Sequence, residues 1–317
     1  MTNQHAVARL VIWSVVAVVL VGIFIACLIL GGGGFSLWKQ GENREITRFE
    51  EEGTGLQAID IRWTSGTVRV SPTDGERITA VESSPYEGKP MECSLTDGTL
   101  TISQKRNWGI FFFGIGPRKS DLELSVPRKE YESFALKATS GEIDIRDITA
   151  SDSRYTLTSG DLHLTDITAD SLQLKLTSGD IHGSGIAAGQ LTADTTSGGI
   201  DIAGAFRRIS GKTTSGNVKI ESRDMPDALD YGMTSGDVTL LLPENEGFSL
   251  TCKKTSGRLH SDFDLLQPMG KDNRYIYKEA GGRDFTVSMT SGTFSLLKKD
   301  GAAESAATGW LAGPDAQ

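Results

Sequence analysis

The chain has 317 residues, of which 38% are hydrophobic and 23% charged, a globular balance that excludes a disordered or collagen-like polymer. Its 32 Lys plus Arg against 41 Asp plus Glu leave a formal charge of -9, which argues against nucleic acid as a partner, because neutralising phosphates requires clustered positive charge. Glycine is abundant, at 37 residues, and aromatic residues are scarce, at 7%, as in turns recurring around a thin core; three scattered cysteines, Cys27, Cys93 and Cys252, supply neither a disulfide scaffold nor a paired zinc site.

Residues 1–9 form a short N-terminal tail carrying Arg9. Residues 10–30 read LVIWSVVAVVLVGIFIACLIL, 21 residues without a charge. At ~1.5 Å per residue this run reaches roughly 31 Å, against a hydrocarbon core of about 30 Å, and it predicts one transmembrane helix. Its length, and Gly31 to Gly34 in place of a small-residue cleavage site, point to a retained signal anchor. The rival is a lipoprotein signal at Phe24-Ile25-Ala26-Cys27, against which Leu28-Ile29-Leu30 continue the apolar run past the cysteine. Arg9 on one side nearly balances Lys39, Arg44 and Arg48 on the other; the short positive start selects a cytoplasmic N-terminus, with the large domain on the outer side of the cell membrane. Residues 31–45 read as a Gly-rich tether.

Residues 46–298 are dominated by the tripeptide Thr-Ser-Gly, whose glycine recurs at Gly66, Gly141, Gly160, Gly179, Gly198, Gly216, Gly236, Gly257 and Gly292. From Gly141 to Gly257 the spacings are 19, 19, 19, 18, 20 and 21 residues, the near-constant period of a solenoid. Between the tripeptides the apolar period is two, as in Leu172, Leu174 and Leu176, which means strand. The inward parity slips from Leu176 to Ile181, so the chain bends at Ser-Gly, where glycine takes positive φ without steric cost. A second corner is predicted in segments such as Thr165 to Ala169 and Gly183 to Gly189. The reading is an all-β fold: a β-solenoid of about nine to ten coils with roughly two strands per coil, preceded by one transmembrane helix. Thr96-Asp97-Gly98 reads as a variant corner, and the repeat as beginning near Ile59.

The least repeat-like segment is 105–119, KRNWGIFFFGIGPRK. Its apolar side chains, with Trp108, Phe111, Phe112 and Phe113 foremost, stand between cationic flanks. One reading makes it a cap shielding the end of the solenoid from strand addition. The other makes those four residues a membrane contact, with aromatics in the headgroup region and cations at lipid phosphates.

Stacking turns the sequence period into surface columns. The residues after each glycine, in sequence order, are Glu142, Asp161, Asp180, Gly199, Asn217, Asp237 and Arg258. Adjacent carboxylates one rung apart repel unless a turn N–H or a bridging calcium ion compensates. Two residues further on stand Asp144, His163, His182, Asp201, Lys219, Thr239 and His260, where His163 and His182 raise the question of a zinc-like ion against ordinary outward polarity. Two residues before the threonines stand Arg62, Lys137, Thr156, Lys175, Asp194, Lys212, Gly232, Lys253 and Ser288, only one of them a threonine, so the threonines read as a structural hydroxyl ladder and not as a flat ice-binding array. The lysines that recur there, among them Lys175 and Lys212, offer a basic strip for an anionic envelope polymer.

A signal anchor followed by many TSG[DEN]-[IVL]-x-[IL] units resembles the bacterial adhesin-type family of membrane-anchored β-strand-repeat proteins, a domain of unknown function, over roughly Ile46 to Leu297. The resemblance implies a non-enzymatic, envelope- and stress-associated scaffold with no cofactor, whose partners are membrane lipid, an envelope polymer or a membrane protein. GxSxG, HExxH, P-loop and strand-to-helix GxGxxG motifs are missing. The alternative is a carbohydrate-active β-solenoid enzyme acting on envelope glycans through scattered carboxylates. Residues 299–317, rich in Ala and Gly, read as a disordered tail.

Overall fold

A computed structural model describes residues 43–85, 89–104, 119–268, 273–279 and 282–299. The predicted span at 10–30, the tether up to residue 42, most of the aromatic insertion and the tail from residue 300 lie outside them. Among the described residues no helix is long and apolar enough to cross a membrane.

The chain begins with β1 (Arg44–Glu52), β2 (Ala58–Trp63), β3 (Thr67–Thr73), β4 (Arg77–Ser84), β5 (Glu92–Thr96), β6 (Thr99–Ser103), β7 (Asp121–Pro127) and β8 (Glu130–Ala138). Four long strands follow: β9 (Glu142–Leu157), β10 (Asp161–Leu176), β11 (Asp180–Thr195) and β12 (Gly199–Thr213). The remainder are β13 (Asn217–Ser222), β14 (Ala228–Met233), β15 (Asp237–Leu242), β16 (Gly247–Lys254), β17 (Arg258–Ser261), β18 (Arg274–Lys278), β19 (Asp284–Met289) and β20 (Thr293–Lys298).

Each rung has a first wall before the Thr-Ser-Gly corner and a second wall after it, and equivalent strands pair in parallel from rung to rung. Strands β9 to β12 pass through the second corner without a break in the strand. Asp147 (φ 53), Asp166 (φ 54) and Gly185 (φ 67) make that turn as single left-handed residues, the latter two inside the segments predicted for a second corner and Asp147 at the equivalent place one rung earlier. Inward side chains form columns such as Val68, Ile143, Leu162, Ile181, Ile200, Val218, Val238 and Phe294, each at most 2% exposed. Burial of this kind contributes about 1.5–3 kcal/mol per large side chain. No single rung can bury its own apolar row, so stability is shared between neighbours.

The main corner sets the packing. The Ser N–H of one rung donates to the Thr carbonyl of its neighbour, as in Ser197 to Thr177 at 3.0 Å, and the residue after glycine donates to the neighbouring glycine carbonyl, as in Gly199 to Gly179 at 3.0 Å. Gly179 has φ 97, and a Cβ there would lie 2.1 Å from the Gly160 carbonyl oxygen. A side chain is therefore barred twice, by conformation and by contact.

The rungs are not stacked in chain order. β2 lies between β6 and β8, and β3 between β7 and β9, so the first coil made is flanked on its outer side by a later one. At the other end β19 inserts between β14 and β16, and β20 between β15 and β17. Ten rungs result among the described residues: nine turn at Thr-Ser-Gly, and the terminal one, β6 with β7, carries the insertion in place of the tripeptide.

Thr96-Asp97-Gly98 is not a coil corner. Asp97 (φ 48) and Gly98 (φ 74) form the two-residue turn of an antiparallel hairpin, with Thr96 opposite Thr99, because paired left-handed residues match the twist of a hairpin. That hairpin places β5 antiparallel on β6, while β4 lies antiparallel on β7 and β1 on β4. β18 does the same on β16. Antiparallel strands thus close both walls of the first end and the first wall of the other, where β17 pairs only with β20 among the described strands.

Large side chains plug the C-terminal end, where Phe248 stacks on Phe285 at 4.9 Å and Phe263 meets Tyr277 edge-on at 5.0 Å. Glu244, on the crossover after β15, accepts from Lys278 Nζ at 2.6 Å and Tyr277 Oη at 2.5 Å, and pairs with Lys298 Nζ at 3.0 Å. It ties the cap and the inserted rung together.

Two expectations follow. Gly179→Ala should lower stability by more than about 3 kcal/mol, read as the urea midpoint, and an unchanged midpoint would refute the corner contact. Lys278, then Tyr277 and Lys298, hold the Glu244 carboxyl at about 2, against ~4.3 for a free side chain. Its stabilisation is present above the ordinary value and is lost as pH falls toward 2, weakened by salt because the group is exposed. The melting temperature should therefore fall more steeply from pH ~4.5 downward in the wild type than in Glu244→Gln; parallel curves would show that the cluster contributes nothing.

Candidate functional site

Parallel stacking aligns equivalent residues into columns along the outer faces, and these columns are the chemistry the fold presents. In spatial order the column after the corner reads Asp121, Thr67, Glu142, Asp161, Asp180, Gly199, Asn217, Asp237, Thr293, Arg258. Thr293 thus separates Asp237 from Arg258, which the sequence order had placed together.

The carboxylates are engaged by the backbone. Asp121 Oδ1 accepts from the Thr67 N–H at 2.8 Å, Asp161 Oδ1 from Asp180 at 3.3 Å, Asp180 Oδ1 from Gly199 at 2.9 Å and Asp237 Oδ1 from Thr293 at 3.1 Å. Asn217 does the same for Asp237 at 3.2 Å, so the role needs an acceptor oxygen and no charge. Asp180 also explains the glycine beside it, since a Cβ on Gly199 would lie 2.6 Å from the Asp180 Oδ1. Glu142, one methylene longer, makes no such bond.

The next outward column runs Glu123, Arg69, Asp144, His163, His182, Asp201, Lys219, Thr239, Ser295, His260. His163 and His182 stack with ring centroids 5.5 Å apart and planes 13° from parallel. The flanking carboxylates are committed elsewhere: Arg146 binds Asp144 at 2.6–3.1 Å and holds its carboxyl below the usual range, and Lys219 binds Asp201 at 3.3 Å. Among the described residues no group of three or more His, Cys, Asp or Glu side chains is placed to hold a metal ion.

The hydroxyl ladder at the corner belongs to serine, contrary to the threonine ladder read from sequence. Ser140, Ser256 and Ser291 Oγ donate to the Thr64, Thr290 and Thr234 carbonyls at 3.3, 3.0 and 3.1 Å. The tripeptide threonines beyond Thr64 point outward and are exposed. Lys137, Lys175, Lys212 and Lys253 stand exposed two residues before them. None of these four has a carboxylate within 4.0 Å among the described residues.

Trp108, Phe111, Phe112 and Phe113 lie outside the described residues. The strands on either side of the insertion are held by a polar network that no sequence motif announces. Gln104 Oε1 accepts from the Thr64 and Ser65 N–H groups at 2.7 and 3.0 Å, and its Nε2 donates to Ser120 Oγ at 2.6 Å. Ser120 in turn donates to Glu82, a buried carboxylate that also accepts from the Met91 N–H at 2.6 Å. Trp63 Nε1 donates to the Ser120 carbonyl at 3.0 Å.

Asp180→Asn should melt like the wild type, whereas Asp180→Ala should lose ~1 kcal/mol, or roughly 2–4 °C for a domain of this size. Calcium or a chelator should move neither. A calcium-dependent melt abolished by Asp180→Asn would return the column to a cation site.

The family model described as Toastrack DUF4097 matches residues 56–297. No functionally curated protein matches the chain. Among solved structures, a "putative lipid binding protein" from Parabacteroides distasonis is 14% identical with a TM-score of 0.52, covering 81% of this chain and 98% of that one. A "putative adhesin" from Bacteroides fragilis is 10% identical with a TM-score of 0.44, covering 80% and 98%. At such identities the likeness is one of fold. The family match spans most of the chain and its whole run of corners, and the chain belongs to the toastrack family.

Proposed function

We propose that this chain is a non-catalytic interaction scaffold of the cell envelope, anchored by the segment at residues 10–30 and presenting its toastrack solenoid on the outer side of the membrane. The observation that carries this reading is the commitment of the outward carboxylates. Those after the corner bind the N–H groups of neighbouring rungs, and Asp144 and Asp201 bind Arg146 and Lys219. Groups held in this way maintain a regular lattice and are not poised for acid–base work. The name of one relative, a "putative lipid binding protein", supports a role at a lipid surface. The cationic, aromatic segment 105–119 supplies the sequence for it, with Trp108, Phe111, Phe112 and Phe113 as the contact.

Two measurements on the full-length chain test the two halves of this reading. Thr177→Cys places a thiol on the exposed corner column. Native Cys252 is buried, and burial pushes the Cys93 thiol up to about 12, so both react slowly. A membrane-impermeant maleimide should label Thr177→Cys in intact cells; labelling only after lysis refutes an outer location. Replacing Phe111, Phe112 and Phe113 by Ser should remove the crosslinks of a photoactivatable phospholipid that map to segment 105–119, leaving those of the span at residues 10–30 and the melt unchanged, and undiminished crosslinking within 105–119 removes the aromatic lipid contact.

A further inference from the structure

The basic strip has one place where it becomes a recess. Lys212, Gly232, Ser288 and Lys253 occupy the same outward position on four successive rungs. Lys212 and Lys253 are therefore three rung spacings apart, about 14 Å at ~4.8 Å per rung. Gly232 has no side chain and Ser288 a short one, so the surface between them falls into an open depression of about 510 Å³. Lys212 borders it, as do Lys253 and its neighbour Lys254 on another strand, along with the exposed corner threonines Thr214, Thr234 and Thr290. This neighbourhood exists only because β19 inserts between β14 and β16; stacking in chain order would set Lys253 directly beside Gly232.

Two features of the recess point to a ligand. First, its three ammonium groups have no carboxylate within 4.0 Å among the described residues. On the second wall, by contrast, Arg69, Arg146 and Lys219 are paired with Glu123, Asp144 and Asp201. The carboxylate beside Lys212, that of Asp194, directs its Oδ1 to the Lys212 N–H at 3.1 Å, and Asp230 projects outward two residues before Gly232. Second, the hydroxyls of Thr214, Thr234 and Thr290 make no hydrogen bond among the described residues. They recur at the rung spacing along a row that continues past the recess to Thr196.

We propose that this recess binds an anionic unit of a linear acidic glycan, its carboxylate or phosphate held between Lys212 and the Lys253–Lys254 pair and its hydroxyls bonded to the threonine row. A lipid surface fits less well. Leu266, 69% exposed, is the one large exposed hydrophobic among the described residues and does not border the recess, and Asp194 and Asp230 on the same wall would repel an extended anionic plane. The site gives the envelope reading a ligand class and rests on that reading for the source of the glycan.

The test is calorimetric titration of the full-length protein in neutral detergent with oligogalacturonate, and with a neutral oligogalactan of equal length. Gly232→Glu is the informative variant: a Cβ at Gly232 meets only Lys212 Cβ at 3.9 Å, so the new carboxylate can enter the recess without disturbing the fold. Gly232→Glu and the Lys212→Glu/Lys253→Glu pair should each weaken binding of the acidic oligomer by about tenfold or more, while Lys137→Glu/Lys175→Glu, on the same strip outside the recess, should stay within about twofold. The neutral oligomer should not bind. The proposal is overturned if the acidic oligomer fails to bind the wild type, if Gly232→Glu binds it unchanged, or if Lys137→Glu/Lys175→Glu costs as much, which would mean diffuse attraction along the strip. Binding of phosphatidylglycerol nanodiscs without binding of the oligomer overturns it in favour of a lipid headgroup. Maleimide labelling confined to lysed cells sinks the envelope placement separately, and the titration series judges the recess itself.

Discussion

At most main corners the serine or post-glycine N–H of one rung meets the threonine or glycine carbonyl of the next, as at Ser197 with Thr177 and Gly199 with Gly179, and at Gly179 the separation leaves no room for a methyl on the glycine. This contact sets the register of the whole molecule. A corner that moved by one residue would put a serine or an aspartate where the backbones touch, and every inward side chain of that rung would turn outward. The apolar columns supply the driving force, but they are tolerant, admitting Val, Ile, Leu and Phe at equivalent positions. The corner is not tolerant, and it turns a loose preference for strand into one lattice.

The lattice in turn governs the surface. Equivalent side chains lie one strand spacing apart, so any charge the period repeats would face its own copy. The chain relieves this repulsion with its own backbone in the aspartate column and with opposite charges in the histidine column, where Glu123, Arg69, Asp144 and the stacked imidazoles are followed by Asp201 and Lys219. The basic strip is treated differently. Its lysines are spaced out by Thr156, Asp194, Gly232 and Ser288 and have no carboxylate partner among the described residues, so the strip is where the surface keeps charge available to another molecule.

The ends obey a separate logic. A solenoid of parallel strands exposes a full row of backbone donors and acceptors at each terminus. Here antiparallel strands cover both walls at one end and the first wall at the other, aromatic or polar plugs add to them, and the coils are reordered so that the first and last made lie inside later or earlier ones. The Gln104–Ser120–Glu82 network at one end and the Glu244 cluster at the other hold these arrangements, and both lie outside the Thr-Ser-Gly corners.

Fold class, coil length, both corners and the inward parity were legible from residue types alone, because a tripeptide in phase with a period-two apolar pattern admits few other structures. The Asp97-Gly98 turn was misread for a local reason: a glycine after a polar residue serves a hairpin as well as a coil corner, and only the partner strand tells them apart. The order of the rungs was illegible for a general one. Every Thr-Ser-Gly corner offers the same donors and acceptors, so any corner can dock on any other, and sequence spacing reports neighbours only where the connections are too short to choose. By itself the sequence determined that this chain would form a two-walled ladder with charged columns on its faces. Tertiary structure decided which coil lies beside which, and so set Gly232 and Ser288 between Lys212 and Lys253, because that choice depends on caps and crossovers that no local pattern encodes.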